Sequence, residues 1–372
     1  MAAKTRNSSI ELLRILCIFG IIFMHTIAYG GNELSQTNRY LLIFANCFTN
    51  LGVTCFMLIS GYFGVRFQLE KLIRLDLMVI FYTVIHLIIR IALGVPVGKL
   101  DLLSTIFPIL SNQYWYLTAY FIIAILSGYL NKAAERLSQV QLRNILWFCL
   151  FLFSIVPTFL HFDILGSEGK NVVQMTVIYM IGRYIRLYDK RVYRTGRLCM
   201  LLLGNILLTF ILEMALYTVT GHYSFFYRDC SIFTIVSAIL LFTVFRNMSF
   251  ESSFINRIAS GVLAVYVFSF GFQRLVYLVL PLENYAFSPL LFPLICAFAP
   301  CVVIGCIVID LVRQKVFGTL ESKIAKKLAD ILGRWLASGM TLFHKIKERL
   351  LLPSILLFLA YSGTHSSLFP SL

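Results

Sequence analysis

The chain has 372 residues, of which 59% are apolar and only 13% charged, with a formal net charge of +15 and a mean hydropathy of +0.84. That composition lies far outside the range of soluble domains and describes an all-α, polytopic membrane protein. The basic residues fall in the gaps between apolar runs, so their excess reads as membrane topology against a lipid bilayer, and nucleic acid is excluded as a partner.

The apolar runs predict about ten transmembrane helices, at residues 10–28, 41–64, 72–93, 114–130, 142–160, 172–188, 198–219, 231–245, 258–280 and 287–317. Most approach the ~20 residues that cross a ~30 Å hydrocarbon core. The first is expected to be retained rather than cleaved, because no small-x-small site follows and Glu11 and Arg14 interrupt the apolar run. Arg14 and His25 stand eleven residues apart in it. At ~100° per residue that is about 20° from full register, so both point from one face, roughly 16 Å apart along the axis. Glu11 precedes Arg14 by one turn and is placed to pair with it.

The second span ends in Ser60-Gly61, where glycine's conformational freedom predicts a helix break near the membrane surface. His86 and Arg90 lie one turn apart at the end of the third, either facing a cavity or paired structurally. Trp115 and Tyr116 open the fourth, at the level of an aromatic belt. A cationic loop runs from Arg183 to Arg197 after the sixth, and the seventh carries Glu213, which needs partners inside a membrane. The tenth is long and is expected to tilt or break at Pro293 and Pro300.

Lys and Arg are dense in the even gaps, from Arg66, Lys71 and Arg74 to Arg246 and Arg257, and sparse in the odd ones, which hold Arg39, Lys99, Lys170 and Arg228. With Lys4 and Arg6 ahead of the first span, the positive-inside rule places both termini in the cytoplasm of a multi-pass cell-membrane protein. Arg14 then lies towards the cytoplasmic leaflet and His25 towards the outer one. Residues 1–317 form one transmembrane domain. Residues 318–372 form a basic tail, in which Leu320, Ile324, Leu328, Ile331, Trp335, Phe343 and Ile346 recur at helical spacing among lysines such as Lys345 and Lys347. This pattern predicts an amphipathic helix on the cytoplasmic leaflet, and the apolar stretch 350–361, interrupted by Pro353, is too short to span. The nine cysteines lack metal-ligand spacing and read as small apolar residues, and no metal is expected. No Walker loop, dinucleotide fingerprint or metalloprotease signature occurs.

Five ordered segments resemble the acyltransferase-3 family of integral-membrane acyltransferases, especially its bacterial surface-polysaccharide O-acetyltransferase branch. Arg14 through Met24-His25 is similar to its Arg-x10-His signature, and Phe56-Met57-Leu58-Ile59-Ser60-Gly61-Tyr62 to its Phe-x3-Ser-Gly-Tyr element. Tyr114-Trp115-Tyr116-Leu117 stands where the family has Trp-aromatic-Leu. Tyr179-Met180-Ile181-Gly182 with Tyr184-Ile185-Arg186-Leu187-Tyr188 resembles a helix end of the family, and Val265-Tyr266-Val267 its late Tyr-containing helix. The resemblance runs from about residue 8 to 317, with two departures: Ser269 stands where many members carry a late His, and Gly128 where a Pro often precedes the equivalent of Asn131.

The resemblance implies transfer of an acyl group, expected to be acetyl, from cytoplasmic acetyl-CoA to a hydroxyl of an extracytoplasmic glycan or lipid-linked precursor. Under it His25 is either the general base or a transient acyl carrier, because a hydroxyl at its free pKa is a poor nucleophile. Arg14, with a permanent charge and planar fork, suits the coenzyme A arm, with Glu11 positioning it. Arg183 and Arg186 serve either topology or the coenzyme A phosphates. Ser60, Trp115, Tyr116, His86, Arg90, Tyr266 and Ser269 are the candidates for substrate binding. The rival from another class is a transporter or glycan flippase, which should show an inverted repeat or paired broken helices; neither is visible.

Overall fold

The structure is a computed structural model that describes residues 7–28 and 33–364; Lys4 and Arg6 lie outside the described residues, as do the side chains of Phe343, Lys345, Ile346 and Lys347. Fourteen α-helices follow one another with no strand among the described residues. They are α1 (Ser8–Ile27), α2 (Gln36–Thr49), α3 (Gly52–Phe63), α4 (Leu69–Ala92), α5 (Lys99–Ile106), α6 (Trp115–Arg136) and α7 (Gln139–Leu150). After them come α8 (Val156–Leu160), α9 (Val172–Tyr188), α10 (Thr195–Thr220), α11 (Ile232–Asn247), α12 (Ser253–Ala259), α13 (Val262–Val279) and α14 (Leu291–Thr364).

Eight helices, two of them counted across a short break, are long and apolar enough to cross a membrane, so the chain is a multi-pass helical membrane protein. The sixth and eighth predicted spans form shorter helices, α9 of 17 residues and α11 of 16. The fifth, α7 with α8, continues through a π-helical turn at Phe151–Ile155. The chain divides into two compact units, residues up to 67 with 76–318, and 68–75 with 319 onward.

Two sequence expectations are corrected. The second predicted span does break, but between Thr49 and Gly52, where the Asn50 N–H closes α2 on the Asn46 carbonyl. Ser60 and Gly61 lie within α3, and the Ser60 hydroxyl bonds the Phe56 carbonyl of its own helix at 2.8 Å. Gly61 and Gly182 are needed for closeness rather than for a turn: a Cβ at either would run into backbone of the facing helix, Tyr179 from α9 or Leu58 from α3. The turn comes instead at Gly64, with φ +69. The last predicted span is neither broken at Pro293 nor at Pro300, for α14 runs unbroken from Leu291. Pro293 sits in the first turn, where no intrahelical N–H bond is lost.

All nine cysteines are free thiols, five of them buried. In the second unit, Leu320, Ile324, Leu328 and Trp335 form an exposed apolar row along α14.

Candidate active site

Helix α1 is pinned at both ends, which fixes its rotation. Asn7 caps it by accepting from the Ser9 N–H at 3.1 Å. The Ser9 hydroxyl reaches the Phe245 and Met248 carbonyls, both at 2.9 Å. At the other end the Gln273 amide on α13 donates to the Ile22 carbonyl at 3.1 Å and the Thr26 hydroxyl at 3.0 Å. So held, α1 turns Arg14 and His25 into cavities rather than towards a packed neighbour.

A cavity of about 320 Å³ opens at Arg14, lined by Glu11, Arg14, Ile21, Ser60, Tyr116, Tyr120 and Tyr266 among others. Glu11 is 8% exposed and its carboxylate lies 3.6 Å from the Arg14 guanidinium, so the pair expected from their spacing forms. Nearer the Ile27 end, a cavity of about 300 Å³ is lined by His25, His86, Tyr114, Trp115, Tyr266, Ser269 and Gln273. His25 also lines a third, of about 310 Å³, with Trp115, Asn46, Asn50, Lys170 and Asp229. Ile21 and Tyr266 line all three.

His86, on α4, thus lines one cavity with His25, on α1. Its ring stacks on Phe268 at 5.7 Å, its Nε2 lies 3.2 Å from the Phe268 carbonyl, and its Nδ1 lies 3.4 Å from the Tyr114 hydroxyl. Its predicted neighbour Arg90 does not follow it. One turn on, the Arg90 guanidinium is taken by Asp101 at 2.7 Å and the Pro96 carbonyl at 3.1 Å. The Arg90 guanidinium, with the Gly98 N–H, holds the Asp101 carboxyl below the usual carboxylate range.

Arg183 and Arg186 are brought together elsewhere, in a cavity of about 660 Å³ with Tyr62, Lys190, Arg191 and Arg246. Arg183 is bound to Glu135 at 3.0 Å and Arg246 to Asp189 at 3.1 Å. Arg186 lies over the Tyr62 ring, 5.3 Å from its centre. Among the described residues Arg186, Lys190 and Arg191 enter no ion pair, and the buried Arg183 Nε has no hydrogen-bond partner. An open cationic cradle with an orphaned guanidinium N–H suits a phosphate-bearing ligand.

Glu213, which the sequence left without partners, finds them in the loop before α11. Its carboxylate accepts from the backbone N–H of Ser224 at 3.1 Å, Phe225 at 2.7 Å, Tyr227 at 3.3 Å and also Phe226. His161 stacks on Phe225 at 3.7 Å, and Arg228 donates to the Phe225 and Pro157 carbonyls at 2.9 and 3.1 Å. The loop so built carries Asp229 to the His25 cavity, where burial pushes its carboxyl up to about 7 against the opposing pull of Lys170. Sequence reasoning overlooked Asp229, Asn46 and Tyr120. A lone carboxylate directly before an apolar span was the one available sign of Asp229.

Asp310 is a further buried carboxylate with a structural part. Asp310 on α14, wholly buried, receives Tyr82 at 2.8 Å, Arg313 at 2.7 Å and Gln314 at 2.6 Å.

A family model described as an acyltransferase domain matches residues 7–311, a span that contains every cavity-lining residue named above. No curated protein and no solved structure matches the sequence.

Proposed function

The chain belongs to the acyltransferase-3 family, and from that premise we propose that it carries an acetyl group from acetyl-CoA to a hydroxyl of an extracytoplasmic glycan or its lipid-linked precursor. The observation that supports this reading is the sharing of Ile21 and Tyr266 by the cavity at Arg14 and both cavities at His25. A long thioester arm entering beside Arg14 can extend past these two side chains to meet an acceptor at His25. With the positive-inside rule, the Arg14 side faces the cytoplasm and the His25 side the exterior of the cell membrane.

In this reading Arg14, oriented by Glu11, holds a phosphate or the polarised carbonyl of the donor arm, and the cradle of Arg183, Arg186, Lys190 and Arg191 holds the remaining phosphates. His25 takes the proton of the acceptor hydroxyl as its oxygen attacks the thioester carbonyl carbon. The C–S bond breaks, the thiolate of coenzyme A leaves, and His25 returns the proton to it. If the imidazole itself attacks first, the C–S bond breaks as an acyl-His25 forms, and the acceptor oxygen then attacks that acyl group, breaking its bond to the imidazole nitrogen and releasing the hydroxyl proton. His86, Trp115 and Ser269 line the acceptor side.

Labelled acetyl-CoA supplied to membranes containing the full-length protein tests the reading. His25→Ala should reduce transfer to glycan by about 10²- to 10⁴-fold at unchanged expression; retained transfer would remove His25 from the chemistry. Arg14→Ala should raise the donor KM, and an unchanged donor KM would remove that role. Acid quenching without acceptor followed by mass analysis of the peptide containing His25 separates carrier from base.

A further inference from the structure

Beside His25, the cavity of about 310 Å³ is lined by two buried polar side chains, each with an oxygen for which the protein supplies no donor. Asp229 is 4% and Asn46 8% exposed, and neither Asp229 Oδ1 nor Asn46 Oδ1 has a hydrogen-bond partner. Buried polar atoms are nearly always satisfied, and two side chains with an unmet oxygen on one cavity wall mark a place where rotation of the carboxylate and of the amide brings each to a ligand that completes the bonding. Their separation is fixed rather than incidental. Asn46 lies on α2, four residues before Asn50, whose amide donates to the Tyr227 carbonyl at 2.5 Å. The Asp229 loop is also closed from behind: the Cys230 N–H donates to the Glu168 carbonyl at 3.0 Å, and at Gly169, with φ +91, any Cβ would collide with the backbone of Asp229 and Cys230.

We propose that Asp229 and Asn46 form the acceptor-recognising wall of the enzyme, taking hydrogen bonds from two hydroxyls of a neutral polyol such as a sugar ring while another hydroxyl meets His25. This deepens, and rests on, the acyl-transfer reading above. Two acceptors demand a ligand that donates at two points. Burial brings the Asp229 carboxyl close to neutral pH, and a hydroxyl suits it in either state, giving to the carboxylate or taking from the acid. Lys170 and Glu168 line the same cavity as an ion pair 3.9 Å apart, which favours a neutral ligand over either a cation or an anion. Arg228 is committed to the Phe225 and Pro157 carbonyls, which leaves it poorly placed to receive a phosphate. Trp115 on the same cavity offers a ring face to an apolar sugar face.

The full-length protein in nanodiscs, with Trp147→Phe and Trp335→Phe leaving Trp115 as the fluorophore, is titrated with the methyl glycosides of glucose, galactose, rhamnose and N-acetylglucosamine, and with n-propanol. At least one glycoside should saturate the Trp115 signal where n-propanol does not. Asp229→Ala and Asn46→Ala should each weaken that binding about tenfold or more, while Asp229→Asn, which keeps a carbonyl acceptor, weakens it less. Failure of every glycoside to bind, or unchanged binding by both alanine variants at wild-type melting temperature, would overturn the proposal. Glycoside binding that depends on Asp229 and Asn46, without label passing from acetyl-CoA to any hydroxyl, would uphold the wall and defeat the acyl-transfer reading instead.

Discussion

Replacing Glu213 separates a loop's architecture from its chemistry. The side chain is wholly buried and accepts from four consecutive backbone N–H groups, those of residues 224–227. Glu213→Ala leaves them without an acceptor. Ser224 is exposed and can turn to water, whereas Phe225 and Tyr227 are buried and Phe226 half-buried. Three orphaned amides at about 1–3 kcal/mol each set a range of roughly 3–9 kcal/mol, with relaxation of the loop favouring its lower end. Glu213→Gln keeps the oxygen that serves Phe225, Phe226 and Tyr227 and loses mainly the charge, which about halves the strength of such bonds; its expected cost is roughly 1–2 kcal/mol. Thermal unfolding of the purified protein should therefore rank wild type, Gln and Ala in that order. Amide exchange should rise first at residues 224–227, and acceptor-side activity should fall as Asp229 loses its support. If Glu213→Ala melts with the wild type and these amides exchange no faster, the carboxylate is not what holds the loop.

Asp310→Ala removes the acceptor of Tyr82, Arg313 and Gln314 and should cost about 3–5 kcal/mol, read as a lowered denaturation midpoint, because it leaves the buried Arg313 charge without this carboxylate. Gly61→Ala should destabilise by about 1–3 kcal/mol, since the new methyl meets backbone of α9 that has no side chain to swing aside. Gly128→Ala, at a helical site with open space around it, should instead be neutral or stabilise by about 0.5–1 kcal/mol; equal melting of the two variants would refute the close-crossing explanation. The Asp101 carboxyl is depressed by Arg90, so its contribution is present above the ordinary Asp value of about 3.9 and is lost as pH falls through its lower folded value. Amide exchange at residues 93–106 should accordingly rise only in acid, and Asp101→Asn should abolish that pH dependence.

Composition and hydropathy were enough to establish a polytopic helical protein, because burial in lipid imposes its requirement on every span locally. The common face of Arg14 and His25, and the Glu11–Arg14 pair, were legible for the same reason: both are properties of one helix and its 3.6-residue period. Chain position alone could not decide what depends on a partner far away in sequence. His86 and Arg90, equal candidates one turn apart, part company only because α13 and Tyr114 receive one and Asp101 claims the other. Ser60-Gly61 reads as a break but serves a close crossing, since α9 passes there. Glu213 looked costly until a loop brought it four amides. Asp229 showed in sequence only as a lone carboxylate ahead of an apolar span and Asn46 not at all, because an unsatisfied buried atom exists only after folding has sealed it away from water.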